Sequence, residues 1–308
     1  MNLERLPIET PDLSLHDAIQ DFLLHQRASR HSPRTLENHV LALGKLKAWA
    51  DAQGLATLSD LTTSRLRGFM VHVQEAPTWK GTAPKPTTVH TLHKNVGAFM
   101  RFHEEEGNLP KSPMRRIKPP KLDQELLPAF TPEDLKRLEA GTGGTDPRSL
   151  RNRALVYFML DTGCRLAEVA SMTLADVDLS TGSVMVRRGK GGKDRMTRLG
   201  FKALKALTKY LRSRCDILPC LWVGKYGTMT ANGIAITLAK LGSVCGVECN
   251  AHKFRRTTAL TMLRNGCDVF SIKSLLGHSD LQVLQRYLAQ TQADITTAHE
   301  RFGVLDHL

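Results

Sequence analysis

The sequence predicts a mainly α-helical protein with a small antiparallel β-sheet, an α+β fold divided into two domains. Three observations carry this. Apolar residues recur at helical spacing between recognisable caps along most of the chain, one pair of alternating segments flanks a glycine-rich turn, and a proline-rich basic stretch interrupts the pattern near residue 122. At 308 residues the chain is longer than one typical core, which favours two domains.

In chain order, "SLHDAIQDFLLHQRAS" opens on Ser14 as an N-cap and places Ala18, Ile19, Phe22 and Leu23 on one face. "SPRTLENHVLALGKLKAWADAQG" repeats that pattern and ends at Gly54, a C-cap residue. "TLSDLTTSRLRGFMVHVQ" and "KPTTVHTLHKNVGAFMRFHEEEG" supply a third and a fourth helix, so residues 1–110 are expected to form a four-helix domain. The following "LPKSPMRRIKPPKLDQELLPAF" holds five prolines and five basic residues. Proline removes backbone donors and stiffens the path, so 111–128 is expected to be a linker, either a solvated tether or a strap along phosphates.

Residues 129–308 form the expected second domain. "TPEDLKRLEAG" starts a helix with Thr131 as cap and Pro132 at the first helical position. "DPRSLRNRALVYFMLDTGC" is a second helix, and "RLAEVASM" a shorter one entered through the Thr162-Gly163 turn. "SVMVRRG" and "DRMTRLG" alternate about Gly189-Lys190-Gly191-Gly192-Lys193 and predict a β-hairpin. The remainder, from "FKALKALTKYLRSR" to "ADITTAHERF", reads as mostly helical.

Composition narrows the function. The formal charge is +13, which points to a polyanionic partner. Residues 1–125 carry 17 Lys+Arg against 14 Asp+Glu, a balance of +3, which leaves +10 for the rest. No apolar run is long enough for a membrane span, and the acidic, polar N-terminus lacks the layout of a signal peptide. The six cysteines are expected to be reduced thiols. Cys245, Cys249 and His252 have loose metal-ligand spacing, but a fourth ligand at matching spacing is missing and no zinc site is expected.

Several residues could carry chemistry. Arg165 follows a Thr-Gly turn at a helix start, where its side chain and backbone N–H groups would point towards an anion. Glu168, one turn on, would pair with it or brace a neighbouring turn. Lys190 lies at the tip of a hairpin also carrying Arg187, Arg188, Lys193, Arg195 and Arg198. His252 and Arg255 are spaced i, i+3 on one helical face. Arginine offers a fork for two phosphate oxygens, and histidine transfers protons near neutral pH. His278 follows a helix end at "SLLG", and Tyr287 is one of only four tyrosines. Each alone has an ordinary reading, as surface charge, solvated turn or packed ring.

In the order Arg, Lys, His-x-x-Arg, Gly-His and Tyr, the stretches "TGCRLAEV", "RRGKGGKDRMTRL", "AHKFRRT" and "LLGHSDLQVLQRY" together resemble the tyrosine recombinase, or phage-type integrase, family. The resemblance covers nearly the whole chain. It implies a catalytic set of Arg165, Lys190, His252, Arg255, His278 and Tyr287, with residues 1–110 as the core-binding domain. It implies site-specific cutting and rejoining of double-stranded DNA through a 3′-phosphotyrosyl intermediate and a Holliday junction, without metal or other cofactor. It also implies a C-shaped grip on DNA, four protomers on two paired sites and a tail helix, with Ile295, Ala298 and Phe302 on one stripe, docking on a neighbour. An accessory protein or second recombinase, no membrane partner, and a cytoplasmic, nucleoid-associated prokaryotic setting complete the expectation. Xer-type members commonly have His directly after the second Arg, where this chain has Arg256, so a mobile-element integrase is expected. A separate arm-binding domain ahead of the helices is expected to be absent. The alternatives are a DNA-binding accessory factor that does not cut and a type IB topoisomerase-like nicking-closing enzyme.

Overall fold

The computed structural model describes residues 12–78, 81–122, 128–187 and 194–277. The chain divides into two compact units, residues 1–125 and 126–308.

Among the described residues of the first unit, four helices surround one core: α1 (Leu15–Ala28), α2 (Pro33–Ala52), α3 (Thr63–Glu75) and α4 (Pro86–Glu105). Ser14 accepts the backbone N–H of Asp17 and Ser32 that of Thr35, so one orphan donor at the start of each of these two helices is met by a local hydroxyl. Gly54 stands just beyond α2 with φ +69°, a conformation that favours glycine. The third helix begins six residues later than the sequence pattern suggests. Asp60 accepts the backbone N–H groups of Ala56 and Thr57 and folds 56–60 into a turn ahead of the Thr62 cap.

Phe22, Leu43, Leu46, Leu66, Phe69, Val96 and Phe99 are wholly buried and fill the centre. Each such side chain contributes roughly 1.5–3 kcal/mol by leaving water. Phe22 meets Phe99 edge-on at 5.7 Å and the His39 ring at 5.0 Å. His103 is buried too. Its Nε2 donates to the Ala18 carbonyl at 3.1 Å while its Nδ1 lies 3.1 Å from Asn108 Nδ2, so both ring nitrogens are satisfied in one neutral tautomer.

The start of the expected linker packs on the first unit. Pro113–Arg116 form a 3₁₀ turn against α3 and α4, with Met114 in the core of the first unit. Thr63 donates to the Pro113 carbonyl at 3.2 Å, and His93 Nε2 to that of Ile117 at 2.7 Å. On the far side, the Phe130 N–H donates to Thr257 at 2.9 Å, and its ring packs on Phe254. An apolar side chain among the prolines explains the packing at the start: Met114 has a core to join.

The second unit is built on α5 (Pro132–Gly141), α6 (Pro147–Thr162), α7 (Leu166–Ser171), α8 (Phe201–Arg212), α9 (Ala231–Cys245), α10 (Ala251–Arg264) and α11 (Val269–Leu276). Thr131 and Asp134 make a reciprocal capping box at α5. Helix α6 is the spine, packed against α8 and α10. Strands β1 (Ser183–Val186) and β2 (Arg195–Arg198) pair antiparallel, Ser183 opposite Arg198 and Val186 opposite Arg195. Val184, Val186 and Thr197 turn inward. The tip of that hairpin, Lys190 included, lies outside the described residues. Within the stretch expected to be mostly helical after β2, a further hairpin intervenes: β3 (Val223–Gly224) and β4 (Gly227–Thr228). It sits beside Trp222, which stacks on Tyr210 at 5.8 Å and meets Phe158 edge-on. No helix among the described residues is long and apolar enough to cross a membrane.

Candidate active site

Two of the six candidate residues are brought together in the second unit. Helix α6 ends at Gly163, φ +57°, and the chain reverses into α7 with Arg165 at its N-cap. A Cβ on Gly163 would stand 2.4 Å from Leu276 Cδ2, so glycine lets this turn pass close to the end of α11. Arg255 projects inward from α10 and is only 5 % exposed. One arm of its fork donates to the Gly163 carbonyl at 2.7 Å and another to that of Leu276 at 2.6 Å. Arg165 donates to the next carbonyl, Gly277, at 2.8 Å and to Glu168 Oε1 at 2.9 Å.

The backbone N–H of Arg165 corrects one expectation. It faces the chain's own carboxylate, Glu168 Oε2 at 2.8 Å, instead of an external anion, because Glu168 folds back over the first turn of α7. Glu168 also receives both arms of Arg195, at 2.9 and 2.7 Å, and Arg195 Nε donates to the Leu275 carbonyl at 3.0 Å. Three successive carbonyls at the end of α11, those of Leu275, Leu276 and Gly277, thus each accept from a different arginine. That is where the helix dipole favours cations and where carbonyls lack partners in the helix.

Burial alone would raise the Glu168 carboxyl; the Arg195 fork, the Arg165 N–H and the Arg165 guanidinium outweigh it and hold the pKa at about 2. Arg255 moves the other way, down to about 10, through burial first and the neighbouring Arg165 charge next, and stays protonated at neutral pH. Among the described residues, guanidiniums 165, 195 and 255 face the single carboxylate of Glu168, a balance of +2. Such a cluster is suited to an anion that brings its own oxygens.

His252 lies one turn before Arg255 on α10 and is exposed, whereas Arg255 is buried, so the shared face splits between solvent and interior. Lys190, His278 and Tyr287 lie outside the described residues, as does the tail stripe. Glu168 and Arg195 are what sequence reasoning did not assign to the centre. The i, i+3 spacing of Arg165 and Glu168 hinted at the first. Nothing local marked Arg195 apart from its hairpin neighbours, since its partners are 27 and 80 residues away.

A mainly helical unit with a small hairpin, gathering arginines from a short helix after a glycine turn and from an His-x-x-Arg helix, is the arrangement of a phage-type integrase. The phage integrase family matches residues 129–294, and the chain belongs to that family. It is 26% identical over 297 residues to the tyrosine recombinase XerA of Thermococcus kodakarensis, spanning 95% of this chain and 98% of the relative. It is 29% identical over 279 residues to XerC of Xanthomonas campestris pv. campestris, spanning 88% and 83%. In fold it resembles the Tn1549 transposon integrase bound to a circular intermediate DNA, with a TM-score of 0.75 at 15% identity over 94% of this chain and 100% of the other. It also resembles the lambda integrase of a tetramer on a Holliday junction, with a TM-score of 0.69 at 16% identity over 91% and 83%.

Proposed function

We propose that this protein is a site-specific DNA recombinase that cuts and rejoins strands through Tyr287. The observation that carries the reading is the pair Arg165 and Arg255, donating to adjacent carbonyls at the end of α11 in a chain of this family. A phosphodiester bound there would replace carbonyl oxygens with its own non-bridging oxygens. The two guanidiniums would then neutralise charge as the phosphorus becomes five-coordinate.

The chemistry assigns the remaining roles. A phenol of ordinary pKa about 10 is roughly one-thousandth ionised at pH 7, so its proton must be taken as it attacks. His252, exposed beside Arg255, assists that transfer; Lys190 protonates the departing 5′-oxygen to give the 5′-hydroxyl; His278, the residue after Gly277, hydrogen-bonds the phosphate. The Tyr287 oxygen bonds to phosphorus, the bond to the 5′-oxygen breaks, and the 3′-phosphotyrosyl ester stores the bond energy. A 5′-hydroxyl from a partner duplex reverses the step. Residues 1–110 serve as the core-binding domain and 111–128 as its connection to the catalytic domain. Four protomers work on two sites, each tail helix docking on a neighbour. Arg256 after the second arginine supports a mobile element over chromosome-dimer resolution, with an accessory protein or second recombinase as companion.

Covalent trapping tests this. Wild type and Tyr287→Phe are incubated with nicked duplexes tiled from DNA flanking the coding sequence, then run on denaturing and native gels. A 3′-linked adduct in wild type alone is the expected outcome. Binding with no adduct would instead identify a non-cutting DNA-binding factor, and relaxation of supercoils lacking any paired site would identify a nicking-closing enzyme.

A further inference from the structure

We propose that Arg195 is a positioning residue of the anion-binding centre, acting on Arg165 through Glu168 and on the end of α11 through Leu275. The inference rests on the recombinase reading and goes beyond it, since Arg195 is not among the groups given a chemical role.

Three features distinguish Arg195 from the exposed Arg187 on the same hairpin. Its side chain is 11% exposed, whereas that of Arg187, the residue after its strand partner Val186, is 62% exposed. All three of its guanidinium nitrogens are engaged within the protein, two on Glu168 and one on Leu275. It therefore has little left to offer a DNA phosphate. The third feature is the room made for it. Gly277 has φ +63°, and a Cβ there would approach the Arg195 Cδ and guanidinium at 3.1 Å.

The physical effect follows from sharing one carboxylate. Glu168 Oε1 accepts from both Arg165 and Arg195, and Oε2 accepts from the Arg165 backbone and from Arg195. With the Arg195 fork occupying both oxygens, Glu168 is held in one orientation and its charge is divided between two guanidiniums. Without it, Glu168 and Arg165 would close into a simple ion pair. Among the described residues the balance would drop from +2 to +1, and the field that Arg165 presents to a phosphate would weaken. The same loss would free the Leu275 carbonyl, loosening the helix end whose next two carbonyls fix Arg255 and Arg165. Arg195 begins β2 opposite Val186, so strand register sets where this brace stands.

The experiment measures single-turnover adduct formation on the trapping duplex, the Kd for the same duplex and the melting temperature, for wild type, Arg195→Gln, Arg195→Lys, Glu168→Gln and the Glu168→Gln/Arg195→Gln double variant. Arg195→Gln is expected to slow the step at saturating DNA roughly 10- to 100-fold, as small misplacements of reacting groups do. Its Kd should stay within about threefold of wild type, the split expected when stabilisation is lost only in the transition state. Arg195→Lys, with charge but no fork, should fall between, and it carries the test if the glutamine variant does not melt as a folded protein. Because the two residues act as one unit, the double variant should be no slower than the slower single variant. A wild-type rate for Arg195→Gln, a defect confined to Kd or to the melting temperature, or losses that multiply in the double variant would each overturn the inference while leaving the recombinase reading intact. Absence of a Tyr287-dependent adduct in wild type would overturn both.

Discussion

Gly163 and Gly54 both adopt positive φ, +57° and +69°, but only one of them stands beside the candidate site. At Gly54 nothing lies within 4 Å of an added Cβ, so alanine meets backbone strain alone, about 1–2 kcal/mol. At Gly163 the same methyl would also run into Leu276 Cδ2 at 2.4 Å and press on Thr258 at 3.4 Å. Overpacking of that kind adds roughly 1–3 kcal/mol. Gly163→Ala should therefore destabilise the chain by about 2–5 kcal/mol, more than Gly54→Ala, as read from urea midpoints. It should also reduce adduct formation, since Leu276 and the Gly163 carbonyl hold the two arms of Arg255. Equal losses for the two alanines would mean that the close approach to α11 is relieved at little cost.

At the scale of elements, α2 and α4 each bury a histidine. Burial lowers the pKa of His39, with His31 adding a smaller push, and burial also lowers that of His103 against the opposing Ala18 carbonyl. A neutral ring is what the fold accepts. Stability from these groups is thus complete above the ordinary value of 6.5 and is lost as pH falls below it, with a slope of up to about 1.4 kcal/mol per pH unit for each. His39 Nδ1 is buried with no hydrogen-bond partner among the described residues, so His39→Leu removes a proton acceptor without leaving a broken bond. That variant should show a shallower fall in thermal stability between pH 6.5 and 5 than wild type; an unchanged slope would remove His39 from the account. Elements such as these were readable because their signals are local: Ser14, Ser32 and Thr131 cap helices within three residues of themselves. Strands β3 and β4 have two residues each, too few for alternation to register, and the start of α3 was obscured by the Asp60 turn. The candidate site divides in the same way. Arg165 and Arg255 stood in recognisable stretches, whereas the role of Arg195 depends on Glu168 and Leu275, brought to it by packing.

For the molecule as a whole, charge is distributed unequally between units whose boundary coincides with the residue count. Residues 1–125 carry +3 and the remaining residues +10. Binding to duplex DNA should accordingly be dominated by release of counterions, and log K should fall linearly with log salt concentration. For six to ten phosphate contacts, affinity would drop roughly 10³- to 10⁵-fold between about 50 and 200 mM salt. Each unit has its own buried core, one around Phe22 and Phe99 and the other around Phe158 and Trp222, so fragments cut at 125/126 can be compared with the full chain. If net charge governs, the 126–308 fragment should retain most of the salt slope and the 1–125 fragment the smaller share, measured by fluorescence anisotropy on one duplex. Equal slopes would indicate that the first unit concentrates its cations on a DNA-facing surface despite its modest net charge. That result would shift the electrostatic part of recognition from the catalytic unit to the helical one, and site-directed neutralisation of Lys94 and Arg101 on α4 would then be the informative substitution.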